Sequence, residues 1–114
     1  MCKSLILGGS YMGIFGALMG GLGKMVGEQL FPVYQNAVRW KASDLEEQVK
    51  SDSNNLQYRA VYLLALLKKD KYRASTIYKE NRQRFENAFT QLYNYRNFQP
   101  VINEFRTIAS RDYY

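Results

Sequence analysis

An all-α chain is what this sequence predicts, and three observations carry the prediction. Its apolar residues recur at three- and four-residue spacings, no segment alternates as a strand would, and its longest uncharged run carries glycines at helical intervals. The chain has 114 residues with 46% hydrophobic, 23% charged and 15% aromatic content, which supplies enough core formers for one ordered domain. Its mean hydropathy of −0.42 averages an apolar beginning with a polar remainder.

The first element occupies residues 4–23, twenty positions without a formal charge between Lys3 and Lys24. About 20 apolar residues span a hydrocarbon core of about 30 Å. One N-terminal transmembrane helix within residues 1–31 is therefore expected, followed by a short helical extramembrane extension over residues 32–114. The run ends without an A-x-A site, so it is expected to be retained rather than cleaved as a signal peptide. A buried soluble hairpin is the other alternative.

Glycine placement gives this helix a face. Gly9, Gly13, Gly16, Gly20, Gly23 and Gly27 are spaced four, three, four, three and four apart. At about 100° per residue they fall within an arc of roughly 80°. The bulky Leu7, Tyr11, Ile14, Leu18, Leu22 and Met25 lie opposite. Each glycine costs about 1 kcal/mol relative to alanine in a helix interior. Close backbone packing on a neighbouring helix would offset that cost in lipid, so these six positions are the expected helix-packing interface. Their 3.5-residue period suits a shallow left-handed crossing. The alternative is that the glycines only tolerate kinks or a re-entrant loop. The helix is expected to run to about Leu30, with Lys24 reaching back toward headgroups and Pro32 marking the exit.

Beyond Pro32 the chain reads as helices with short joints. Val33, Ala37 and Trp40 share helical spacing, and Tyr34 with Trp40 would suit a headgroup layer or a protein groove. Ser43-Asp44-Leu45-Glu46 matches a capping box opening a helix through Val49. Residues 51–55, SDSNN, form a loop or new cap. Leu56, Ala60, Leu63, Leu64 and Leu67 make one stripe while Tyr58, Val61, Tyr62 and Leu66 cover much of the other side, which predicts a helix sandwiched between others. One longer helix is expected over 70–98, with Ala74, Ile77, Phe85, Ala88, Leu92 and Tyr95 inward. Pro100 restarts the chain, and Val101, Phe105 and Ile108 line a last helix.

Charge is unevenly shared. Residues 1–56 hold five Lys+Arg and five Asp+Glu, whereas residues 57–114 hold eleven and five, so the whole net +6 lies in the C-terminal half. Lys24, Lys68, Lys69, Lys71, Arg73, Arg82 and Arg84 are candidate contacts to anionic lipid such as cardiolipin or to an acidic partner. A solvated helix face is the plainer reading of such a run. Nucleic acid is not the expected partner, because it leaves the glycine stripe without a purpose.

Residue types for catalysis are sparse. There is no histidine and one cysteine, Cys2, so the commonest general base and zinc ligand is missing and no internal disulfide can form. The glycine run lacks both a preceding strand and the GKS or GKT ending of a phosphate loop. The reading is therefore no enzyme, no cofactor and no metal; Cys2 is read as a terminal thiol, and Met12, Met19 and Met25 as packing residues.

In architecture, the motifs Gly9-x-x-x-Gly13, Gly16-x-x-x-Gly20 and Gly23-x-x-x-Gly27 on one N-terminal helix, followed by a charged helical extension, resemble the small accessory subunits of mitochondrial inner-membrane complexes. The nearest pattern is the subunit e and g type of ATP synthase. The resemblance covers about a fifth of the chain. It implies a single-pass inner-membrane protein that packs on other membrane subunits and stabilises a respiratory-chain complex or ATP synthase without performing chemistry. Two other classes stay open: a self-assembling membrane-shaping or biogenesis factor, and a soluble basic binding module.

Overall fold

The computed structural model describes residues 15–111, with side-chain surroundings described from Val26 onward. The described chain is all-helical: α1 (Phe15–Ala37), α2 (Ala42–Lys50), α3 (Leu56–Lys69), α4 (Lys71–Glu80), α5 (Arg82–Leu92), a 3-10 turn at Arg96–Phe98, and α6 (Gln99–Ala109). Helix α3 is the axis of the bundle, packed by α1, α2, α4, α5 and α6. Its Ala60, Val61 and Leu63 through Leu67 are all buried, so the sandwiched helix read from its two-sided apolar pattern is what forms.

Helix α1 does not end near Leu30; it runs through Pro32 to Ala37. Proline inside a helix removes one backbone hydrogen bond and costs about 3 kcal/mol. Packing offsets this cost. Pro32 itself is exposed, while Leu30, Tyr34 and Ala37 on the opposite side are buried in the core. Residues of the size of Leu30 and Tyr34 contribute about 1.5–3 kcal/mol each when buried. Phe31 and Tyr34 meet Phe98 edge-on at ring separations of 5.1 and 5.9 Å, which holds both sides of the proline in helical register.

Among the described residues no helix is long and apolar enough to cross a membrane. Within α1 only residues 15–23 belong to the uncharged run, and Lys24, Glu28 and Gln29 follow. Residues 4–14 of that run lie outside the described residues.

Two other boundaries differ from expectation. Helix α2 begins at Ala42 with Lys41 as its N-cap and no side-chain cap bond, so the capping box at Ser43 does not form. The Glu46 carboxylate that would have closed it is engaged by Lys50 at 2.8 Å and Arg73 at 3.1 Å. The long helix expected over 70–98 is divided at Asn81 into α4 and α5. In one straight helix Tyr78 and Phe89 would lie about 16 Å apart along the axis. Their rings stack at 6.1 Å, because the chain folds back at the asparagine. Ala74, Ile77, Phe85, Ala88 and Leu92 are buried as the periodicity required, and Tyr95 is half-buried beyond the end of α5.

Local chemistry fixes the joints. Asn54 Nδ2 donates to Gln48 O at 3.0 Å and Arg59 Nε to Val49 O at 2.7 Å, satisfying carbonyls that the end of α2 leaves open. Asn55 caps α3 by accepting from Tyr58 N at 2.9 Å, and Asp70 caps α4 by accepting from Arg73 N at 3.0 Å. Pro100 lies in the first turn of α6, where its missing N–H costs nothing.

Candidate interaction surfaces

Gly27 is the one glycine of the stripe whose surroundings are described, and it faces its own chain. A Cβ at Gly27 would collide with Tyr95 Cβ and stand 3.3 Å from Leu92 O. Glycine lets α1 close on the end of α5, and the aromatic seam of Phe31, Tyr34, Tyr95 and Phe98 continues that contact. Gly9 and Gly13 lie outside the described residues. Gly16, Gly20 and Gly23 are on α1 ahead of the described side-chain surroundings, as is Lys24.

The remaining basic candidates fall into two groups. Lys68 Nζ donates to Glu104 Oε1 at 2.6 Å, a bond that raises the ammonium pKa. Arg73 bridges Glu46 at 3.1 Å and Asp70 at 3.5 Å. These two cations are engaged at the surface by carboxylates of their own chain, linking α3 to α6 and α4 to α2. Arg82 is exposed and lies 5.4 Å from the Tyr78 ring centroid as a cation–π contact. Lys69, Lys71 and Arg84 are exposed and make no ion pair among the described residues.

The strongest polar cluster is one that local sequence patterns did not reveal. Glu86 on α5 accepts from Tyr78 Oη at 2.6 Å, from Arg106 Nη2 at 2.8 Å and from Arg106 Nε at 3.3 Å, joining α4, α5 and α6. Arg106 also stands 5.7 Å from the Tyr93 ring centroid. Burial pushes the Glu86 carboxyl up, but the Arg106 and Tyr78 hydrogen bonds with the neighbouring positive charges outweigh it, and the carboxyl is held below its ordinary value. Burial and the bond to Glu86 push the Tyr78 phenol up to about 12. A carboxylate held ionised and a phenol held protonated describe a structural clamp, with neither group poised to exchange protons near neutrality. The signal for it was an Arg and a Glu on separate amphipathic helices, which becomes specific only after the fold at Asn81 is known.

Among the described residues no group of three or more histidines, cysteines or carboxylates could hold a metal ion. The groove between α2 and α4 is lined by Glu46, Lys50, Asp70, Arg73 and Glu80, and most of those charges already neutralise one another. Ser75 Oγ is buried without a hydrogen-bond partner on α4. The chain matches no protein-family profile, no curated protein and no solved structure.

Proposed function

We propose that the chain is a non-catalytic structural subunit whose helical bundle presents an apolar, glycine-striped helix for packing against neighbouring membrane helices. The observation that carries the reading is the continuity of α1. The helix that begins within the uncharged run passes through Pro32 and is locked into the bundle by Leu30, Tyr34 and Ala37. A rigid joint of this kind transmits docking at one end into fixed placement of the bundle at the other. The run of residues 4–23 is long enough to enter lipid, and its glycines suit close helix packing better than an exposed aqueous face. The resemblance to accessory subunits of the mitochondrial inner membrane supports an oxidative-phosphorylation complex as the host assembly.

Substituting Gly16→Leu together with Gly20→Leu tests this reading. The double variant is expected to remain in the membrane fraction while leaving its complex, because leucine preserves hydropathy and fills the groove. Leu18→Ala, on the bulky side, should leave assembly largely intact. Retention of the double variant at wild-type stoichiometry would sink the packing claim.

A further inference from the structure

Pro32 sits inside α1, and its ring leaves the Glu28 carbonyl without the N–H that would close the helix at that turn. A helix bends most readily at such a point. Pro32 is exposed, and at about 100° per residue Gly27, Leu30, Tyr34 and Ala37 lie about 140–160° around the helix from it. A proline crowds its own side of a helix, so the bend carries the preceding turns toward that opposite, bundle-facing side. The angle of α1 is then decided by what it meets there.

It meets the chain between α5 and α6. Ahead of the proline, Gly27 closes on Tyr95 and Leu92 O, and Phe31 meets the rings of Tyr95 and Phe98 at 5.9 and 5.1 Å. After the proline, Tyr34 meets Phe98 at 5.9 Å. One short segment thus grips α1 on both sides of its weak point. The segment is itself braced: Tyr95 N donates to Leu92 O at 3.0 Å, Phe98 N to Tyr95 O at 2.9 Å and Gln99 Nε2 to Tyr93 O at 3.0 Å, and Leu92 and Phe98 are fully buried. The other flank of α1 is packed more loosely. There a groove of about 150 Å³ lies between Val26, Gln29 and Leu30 of α1 and Asn55, Gln57 and Tyr58 at the start of α3.

We propose that α1 is a hinged arm, that Pro32 is its hinge, and that residues 92–98 are the strap that fixes the arm's angle to the bundle. The direction of the glycine-bearing turns is therefore set by contacts distant from them in sequence. Leu18 lies fourteen residues before Pro32, roughly 21 Å along the axis, and a kink of about 20° swings it by about 7 Å. That exceeds the pitch of one turn, about 5.4 Å, and is enough to break the register of a packed helix pair. The inference goes beyond the subunit reading and holds whatever α1 packs against.

The test places spin labels at Leu18→Cys and Thr76→Cys in the full chain carrying Cys2→Ser, held in mild detergent, and reads their separation by pulsed electron–electron double resonance. Thr76 is an exposed position of α4, outside both α1 and the strap. With arm and strap otherwise native, one narrow distance is expected. Tyr95→Gly removes the ring and the Cβ that stop α1, and should widen the distribution by about 7 Å, the swing of the arm. Adding Pro32→Ala, which restores the missing N–H, should return it to the narrow form. Phe98→Leu keeps a buried apolar side chain while removing the ring contacts to Phe31 and Tyr34, so it makes the same test if the glycine variant fails to fold. Helical circular dichroism checks folding. A distribution as narrow in the strap variants as in the native chain would overturn the proposal, as would widening that persists with Pro32→Ala. Broad distances with the native strap would overturn it too, because the strap would then not be holding the arm.

Discussion

Gly27→Ala is the sharpest perturbation of the seam that fixes α1. The new methyl would collide with Tyr95 Cβ and press on Leu92 O at 3.3 Å. Neither neighbour is the far end of a flexible side chain, so the backbone of α1 or of the segment after α5 must move. Overpacking of this kind costs about 1–3 kcal/mol, and rigid neighbours place it in the upper part of that range. Alanine returns about 1 kcal/mol of helix propensity. The net expectation is a loss of about 1–2 kcal/mol, which lowers Tm by about 5–15 °C for a domain of this size. Thermal and urea denaturation of the full chain in mild detergent, followed by helical circular dichroism, would read it, with an unchanged urea m-value expected. Glu28→Ala, exposed on the next position, should stay within about 0.5 kcal/mol of wild type. In the background of Tyr95→Gly, which removes the colliding Cβ, Gly27→Ala should cost at least about 1 kcal/mol less, a coupling that a double-mutant cycle isolates. A Gly27→Ala protein that melts at or above wild type would refute the assignment of Gly27 to an internal seam.

Other perturbations follow from the same geometry. The Glu86 carboxyl is held below its ordinary pKa, so its stabilising contribution is present above the unfolded value and is lost as pH falls through the folded one; Glu86→Gln should flatten the acid limb of a Tm-against-pH curve and cost about 1–2 kcal/mol at neutral pH, between exposed and buried pairs. Tyr78 has the opposite sign: its contribution is present below pH about 10 and is lost as pH rises through about 12, so Tyr78→Phe should weaken the alkaline decline that the same curve records. Ser75→Ala removes a buried hydroxyl without a partner and should leave stability unchanged or raise it by about 1 kcal/mol, whereas a loss beyond about 1 kcal/mol would reveal a bond the structure does not contain. Phe105→Ala should cost about 3–5 kcal/mol by denaturant titration, because the ring is fully buried with Tyr78 and Phe89 each at 5.1 Å.

Much of the fold was legible where a local pattern and burial agree. The two-sided apolar pattern of α3, the SDSNN joint, the restart at Pro100 and the inward positions Phe105 and Ile108 all appear in the structure as read. What was not legible depends on contacts distant in sequence. Periodicity continues across Asn81, since Ile77 and Phe85 both face inward, but it does not register that the helix axis folds back between them. Pro32 reads as an exit until the aromatic seam with Phe98 is seen to hold the helix through it. Ser43 and Glu46 have capping-box spacing, yet Arg73, twenty-seven residues after Glu46, competes for the carboxylate. The basic candidates were identified by residue type alone. Only the fold separates Lys68 and Arg73, which are committed to ion pairs, from Lys69, Lys71 and Arg84. For the glycine stripe, Gly27 shows how a position that reads as part of an intermolecular face can serve an intramolecular one first, since helix-packing glycines look alike in sequence whichever chain supplies the partner.

The structural-subunit account is tested most directly by an inventory of what co-purifies with the tagged full chain from gently solubilised membranes, using native gels and mass spectrometry. The account predicts recovery in fixed ratio with the chains of one large membrane assembly, with a respiratory-chain complex or ATP synthase as the expected host. Recovery alone or as a homo-oligomer would contradict the subunit role and favour self-assembly through the glycine face. Absence from the membrane fraction would contradict the membrane-packing role of the N-terminal helix.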